Sequence, residues 1–195
     1  MSERSSIPHS RSGFTLIEFL AVIAVIAALA SLSIPAWSAM TRARANSAAM
    51  TLTMGALEQA RLAATSGKKE VWLLFKNDDS TGKSSLRIIC RDNAGYSPLG
   101  TWILLPQGIR FQDGENNLMD QPPPKEIIAS ALGPKSPPSS LPPGVSLGGV
   151  QFLRSGRVGI PQQGGPALSL KLRNKNAALP EPITLSRGTG RATCP

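Results

Sequence analysis

The chain has 195 residues, 41% of them hydrophobic and 17% charged, and Lys+Arg 21 against Asp+Glu 12 leaves a net charge of +9. Its single histidine, His9, sits in the first dozen residues, and its two cysteines are Cys90 and Cys194. The body therefore holds no Ser-His-Asp triad, Cys-His dyad or His-based metal site, and two cysteines alone make no Cys₄ centre, so neither catalysis nor a metal or cofactor is expected.

Residues 1–13 form a short polar leader with Arg4 and Arg11, closed by Gly13. Residues 14–34 read FTLIEFLAVIAVIAALASLSI, and 17 of the 21 are apolar; the exceptions are Thr15, Glu18, Ser31 and Ser33. A helix of this length spans about 31 Å, the thickness of a bilayer core, which predicts a membrane helix. A cleaved secretory signal competes, with Arg4 and Arg11 before the apolar run and Ala28-Leu29-Ala30 as the cut. Such signals have apolar regions of roughly 7–15 residues, shorter than this one. A plain single-span anchor leaves Glu18 unexplained, because a carboxylate in a spanning helix is expensive and normally has a partner. A cut between Gly13 and Phe14 would place a new α-amine one helical turn from Glu18, on the same chain or a neighbour.

Gly13-Phe14-Thr15-Leu16-Ile17-Glu18 ahead of an apolar run resembles the type IV prepilin signal. In that family a membrane aspartyl peptidase cuts after the glycine and methylates the new N-terminal phenylalanine, and the acidic residue guides fibre assembly. The resemblance thus implies cleavage between Gly13 and Phe14, N-methylation of Phe14 and an assembly role for Glu18. Pro35 falls where many pilins carry a kinking proline. Arg42 and Arg44 follow the span while Arg4 and Arg11 precede it, so charge alone does not set the orientation.

Pro35 removes one helical hydrogen bond, which predicts a bend and not an end. Residues 35–67 are expected to continue the helix amphipathically. Met40, Ala48, Leu52, Ala56, Ala60 and Ala64 recur at four-residue steps, with Met50, Met54 and Leu57 beside them, a face suited to packing on a sheet. Gly67 suits the C′ position, followed by Lys68 and Lys69. Residues 68–195 read as a β-rich head. Residues 70–91 form a hairpin around the turn residues 77–83, and Asn93-Ala94-Gly95 turns again. Trp102–Leu105 and Ile109–Phe111 are short strands. Residues 121–144 contain eight prolines in 24, a solvated insertion with one turn of helix at Glu126–Leu132. Strands return at Gly149–Phe152, Ala167–Leu172 and Pro182–Ser186.

This order of elements, with Leu57-Glu58-Gln59-Ala60-Arg61, Leu105-Pro106, Gly108-Ile109, Gly156-Arg157 and Gly190-Arg191, is similar to the GspH/FimT group of minor pseudopilins and minor pilins. The Pro-rich insertion departs from that pattern. The expected fold is α+β: a long N-terminal helix, membrane-spanning in its first half and packed against an antiparallel β-sheet head in its second. The resemblance implies a structural subunit of a type II secretion pseudopilus or type IV pilus, held in the bacterial inner membrane with its head in the periplasm. Its partners would be other pilin or pseudopilin subunits, the prepilin peptidase, an inner-membrane assembly platform and membrane lipid.

Other motifs look chemical. Gly82-Lys83-Ser84 resembles the tail of a phosphate-binding loop, but that loop needs a glycine at position 77, which is Asn77. Asp78-Asp79 has no third carboxylate nearby in sequence and reads as a solvated turn. Cys90 and Cys194 would lie outside the cytoplasm, where disulfides persist; whether they pair to tie down the tail is left open. From Arg154 onward seven cations face one acid, Glu181. In some FimT-like pilins a basic C-terminal segment after a Gly-Arg pair binds DNA for uptake, which makes Arg187 and Arg191 candidate DNA contacts. Thr193 stands where those relatives carry a second arginine, and no aromatic residues interleave to stack bases. A basic surface facing lipid headgroups or neighbouring subunits is the favoured alternative.

Overall fold

The computed structural model describes residues 15–112, 117–133, 141–159, 167–174, 177–179 and 182–194. The chain divides into two units, Met1–Thr41 and Arg42–Pro195. One helix, α1, runs from Leu16 to Gly67. Pro35 lies inside it and does not end it.

Within the second unit, α1 buries Ala49, Thr53, Ala56, Leu57, Ala60 and Ala64. The strict four-residue series does not hold: Met40 and Leu52 are 50% and 39% exposed, and Ala48 is exposed. Each step of four residues turns about 400°, so the series drifts roughly 40° per step and leaves the face. The observed stripe mixes steps of three and four, through Ala49, Thr53, Ala56, Ala60 and Ala64. Thr53 fits there because its Oγ1 donates to the Ala49 carbonyl at 2.7 Å. The helix end is also one residue later than expected. Lys68, with φ of 48°, takes the left-handed position instead of Gly67, and the Lys69 N–H donates to the Ala64 carbonyl at 3.3 Å in a Schellman closure.

The strands are β1 (Val71–Asp78), β2 (Lys83–Asp92), β3 (Gly95–Leu104), β4 (Ile109–Phe111), β5 (Val145–Phe152), β6 (Val158–Gly159), β7 (Ala167–Leu170), β8 (Leu172–Asn174), β9 (Ala177–Ala178), β10 (Ile183–Ser186) and β11 (Ala192–Thr193). They form a five-stranded sheet ordered β3-β2-β1-β5-β6 and two three-stranded sheets, β11-β10-β7 and β4-β8-β9. The β1–β2 hairpin pairs Val71 with Cys90 through Asp78 with Lys83. Strand β1 is apolar without alternation because both its faces are covered. Val71, Leu73 and Phe75 join the α1 stripe in the main core. Trp72 and Leu74 face a second cluster with Ile89 and Leu147.

That second cluster corrects the reading of the insertion. Helix α2 (Lys125–Leu132) buries Ile127 and Ala131 on the outer face of the sheet, and Arg87 Nη1 donates to the Ala131 carbonyl at 2.6 Å near its end. Part of the Pro-rich segment is therefore a packed cover; residues 134–140 lie outside the described residues. Strand β3 is longer than expected because Pro98 and Gly100 disguise it. It is an edge strand, where proline is tolerated, and its register slips between Leu86 and Ile88 opposite Gly100. The expected Ala167–Leu172 strand breaks at Lys171, so that β7 pairs with β10 and β8 with β4. Asn77 is 5% exposed and ties β4 to β1 as a substitute strand: its Nδ2 donates to the Phe111 carbonyl at 2.8 Å, and its Oδ1 accepts from the Phe111 N–H at 3.1 Å.

Candidate functional site

The start of α1 is built by two side chains. Thr15 precedes the first helical residue and Glu18 follows three places later, the spacing of a capping box. The Thr15 N–H and Oγ1 both donate to Glu18 Oε2 at 2.9 Å, and the Glu18 N–H donates back to Thr15 Oγ1 at 3.3 Å. Backbone donors that a helix start leaves open are thus satisfied, and a carboxylate sits at the positive end of the helix dipole. Glu18 Oε1 accepts no hydrogen bond among the described residues. The local capping explains how an acid is tolerated here. Sequence reasoning missed Thr15, although the T-x-x-E spacing was its signal.

Behind this cap, Leu16, Ile17, Phe19, Leu20, Val22, Ile23, Val25, Ile26 and Leu29 are 49–82% exposed. A helix apolar all round requires an apolar surrounding. Ser31 Oγ donates to the Ala28 carbonyl at 2.7 Å, so its hydroxyl is met within the helix. Among the described residues no helix is long and apolar enough to cross a membrane. Gly13 and Phe14 lie outside the described residues.

The second candidate region, the basic C-terminal segment, has a structural core of its own. Arg187–Thr189 form a turn between β10 and β11. The Gly190 N–H donates to the Ser186 carbonyl at 2.8 Å, the Ser186 N–H to the Arg191 carbonyl at 2.9 Å, and the Val158 N–H to the Arg187 carbonyl at 3.1 Å. Arg61 Nε from α1 donates to the Thr189 carbonyl at 3.0 Å, and Arg157 Nε to the Gly188 carbonyl at 3.2 Å. Gly190, at φ of 65°, packs against the Gly156 carbonyl, and Gly156, at φ of 78°, leaves no room for a side chain beside Thr65. The two Gly-Arg pairs thus meet at the end of α1 and lock two turns to it. Arg187 is half-buried, and Arg191 is exposed.

The remaining motifs resolve simply. Gly82 sits in the β1–β2 turn, outside any strand–loop–helix context. Asp78 Oδ1 accepts from the Ser80 N–H, Ser80 Oγ and the Thr81 N–H, and Asp79 pairs with Arg110. No group of three histidine, cysteine or carboxylate side chains able to hold a metal occurs among the described residues. No disulfide joins Cys90 to Cys194. Cys90 pairs with Val71 just past the end of α1, whereas Cys194 lies beside Met50 and Met54. Met54 and Gly67 are roughly 20 Å apart along the helix, far beyond disulfide reach.

Residues 8–34 match the Prokaryotic N-terminal methylation motif. No curated protein and no solved structure matches the chain. The motif marks a type IV prepilin-like, membrane-anchored chain that prepilin peptidase processes and that associates with other pilin subunits.

Proposed function

We propose that the chain is a minor pseudopilin or minor pilin of the GspH/FimT kind, a structural subunit of a type II secretion pseudopilus or type IV pilus. In this reading residues 1–13 are the leader, 14–34 span the bacterial inner membrane, 35–67 continue the helix amphipathically, and 68–195 form a periplasmic head. An assembly platform in the inner membrane draws the subunit out of the lipid into the fibre. The carrying observation is the Thr15–Glu18 capping box at the head of a helix exposed and apolar on every side, inside the segment that matches the methylation motif.

The geometry supports a two-step use of Glu18. In lipid, an unpaired carboxylate is costly, and Thr15 supplies two donors to one oxygen. Cleavage between Gly13 and Phe14 creates an α-amine close by in sequence, and Oε1 is available to accept from the amine of Phe14 on a neighbouring subunit. Local capping thus holds the carboxylate until assembly brings the cation.

Glu18→Ala tests this. The variant should insert and be cleaved like the parent, since removing a carboxylate eases insertion, but should fail to enter fibres. N-terminal sequencing should begin at methylated Phe14. Incorporation of the variant at the parental level sinks the pairing, and a different mature N-terminus sinks the processing.

A further inference from the structure

Within the second unit, a cleft of about 660 Å³ lies between α1 and the end of β11, and the assembly reading does not use it. Three of its lining side chains carry sulfur: Met50 and Met54 of α1, and Cys194, one residue past β11. Met50 and Met54 are one helical turn apart, so their Cβ atoms stand roughly 5–6 Å from each other on one face. Both are half-buried against the main core, and Cys194 is exposed. The three side chains thus border open space and are not sealed inside the core. Gly55, beside Met54, has nothing within 4 Å of where a Cβ would stand, so the mouth of the cleft is open there.

The donor set gathered there is soft. Thioether and thiolate sulfurs select Cu(I), whereas oxygen ligands suit Mg²⁺ and Ca²⁺, and zinc sites are built from cysteine, histidine and carboxylate. The hard donors of the cleft are the Thr51 hydroxyl and Glu58, whose Oε1 already accepts from Arg61 Nη1 at 2.8 Å. Histidine, cysteine and carboxylate groups do not gather in threes among the described residues, so the two thioethers decide which ion the cleft can take. No disulfide takes up the sulfur of Cys194. Charge fits as well: one thiolate and one Cu⁺ sum to zero, and a neutral centre is far cheaper than a bare ion beside apolar side chains.

We propose that Met50, Met54 and Cys194 form a three-sulfur site for a single Cu(I) ion. The Cys194 thiol gives its proton to solvent as its sulfur bonds the metal, and each thioether adds a bond through a lone pair without losing a proton. Copper enters and leaves as Cu(I), so no electron is transferred. Methionine has three rotatable side-chain bonds, which lets the sulfurs close on an ion much smaller than the cleft. Because the ligands come from α1 and from the residue after β11, the bound ion would tie the end of the chain to the helix and stabilise the folded head. The site is independent of the helix start and of the basic turn.

The test uses the full chain in detergent micelles without oxygen, with Cu(I) delivered as its bicinchoninate complex. The sequence has five methionines, whose methyl groups are followed in ¹H–¹³C spectra. Cu(I) should shift the Met50 and Met54 methyls saturably and leave that of Met119 in place, while Zn²⁺ at the same concentration should shift neither. Loss of even an outer partner costs a metal site roughly 10–100-fold in affinity, so Met50→Leu or Met54→Leu should weaken Cu(I) binding at least about tenfold. Leucine keeps the apolar bulk, so both variants should fold like the parent. Should one misfold, the methyl shifts of the parent still decide. Cys194→Ser, at an exposed position, should weaken binding further. The proposal is overturned if Cu(I) leaves both methyls in place, if Zn²⁺ displaces Cu(I) at equal concentration, or if folded Met50→Leu and Met54→Leu hold Cu(I) like the parent, which would reduce the site to an adventitious thiol.

Discussion

Gly190→Ala separates structure from recognition in the Gly190-Arg191 pair. Alanine at φ of 65° costs about 1 kcal/mol relative to glycine. The new Cβ would also overlap the Gly156 carbonyl oxygen and lie 3.4 Å from Arg61 Cδ. The main obstacle is backbone, so no rotamer change relieves it, and the turn must move away from Gly156. That strains or breaks Gly190 N–H to Ser186, Ser186 N–H to Arg191 and Arg61 Nε to Thr189. At ~1 kcal/mol each, these three bonds bring the expected loss to about 4 kcal/mol, a large share of a typical total of roughly 5–15. Urea denaturation of the detergent-solubilised chain, followed by tryptophan fluorescence, measures it. Arg191→Ala is the control: its side chain is exposed, and stability should stay within about 0.5 kcal/mol of the parent. A Gly190→Ala chain within about 1 kcal/mol of the parent would refute the reasoning.

Lys68→Gly should stabilise the chain by about 1 kcal/mol in the same denaturation assay, because a left-handed C′ position favours glycine. Hydrogen bonds from Lys69 and Ser97 hold the Asp92 carboxyl below its ordinary range, and Asp92 in turn raises Lys69. The Asp92 contribution is complete above the unfolded value near ~3.9 and is lost as pH falls through the lower folded value; the Lys69 contribution is present below its unfolded value near ~10.4 and is lost as pH rises through the higher folded one. Asp92→Asn should accordingly flatten the acid limb of stability against pH, measured as a difference from the parent between neutral and acid pH. DNA binding by the chain should be weak and unchanged by Arg187→Ala with Arg191→Ala, since Arg61 and Arg157 already serve turn carbonyls. A log–log salt slope near −3 to −4 that the double variant flattens by about 2 would instead establish a DNA site.

The sequence was most legible where one local rule decides the structure. The β1–β2 hairpin followed from two apolar runs around turn residues, and the apolar run behind Phe14 announced its helix. It was least legible where distant segments meet. The face of α1 was legible over Ala56, Leu57, Ala60 and Ala64 but not over Met40, Ala48 and Leu52, because a four-residue repeat imitates a stripe over a turn or two and then drifts. Helix α2 looked like an insertion because nothing near Ile127 reveals that the outer face of β1, through Trp72 and Leu74, needs a cover. Strand β3 was hidden by Pro98 and Gly100, residues an edge strand accepts. The Gly-Arg pairs resembled a recognition motif, yet Gly156 and Gly190 are required by a backbone approach between residues far apart in sequence. Thr15 carries a local signal as well, the T-x-x-E spacing of a capping box, which the charge of Glu18 masks.

The bond from Arg61 to Thr189 joins residues 128 apart in sequence. The lock at the end of α1 therefore cannot close until the β10–β11 turn is available, even though α1 and the β1–β2 hairpin form from contiguous chain. Strand β1 likewise lacks its second neighbour until β5 arrives. Closing such long loops delays the final core relative to local contacts. A chain cut short before residue 190 would keep the β1–β2 hairpin but lack the lock at the end of α1.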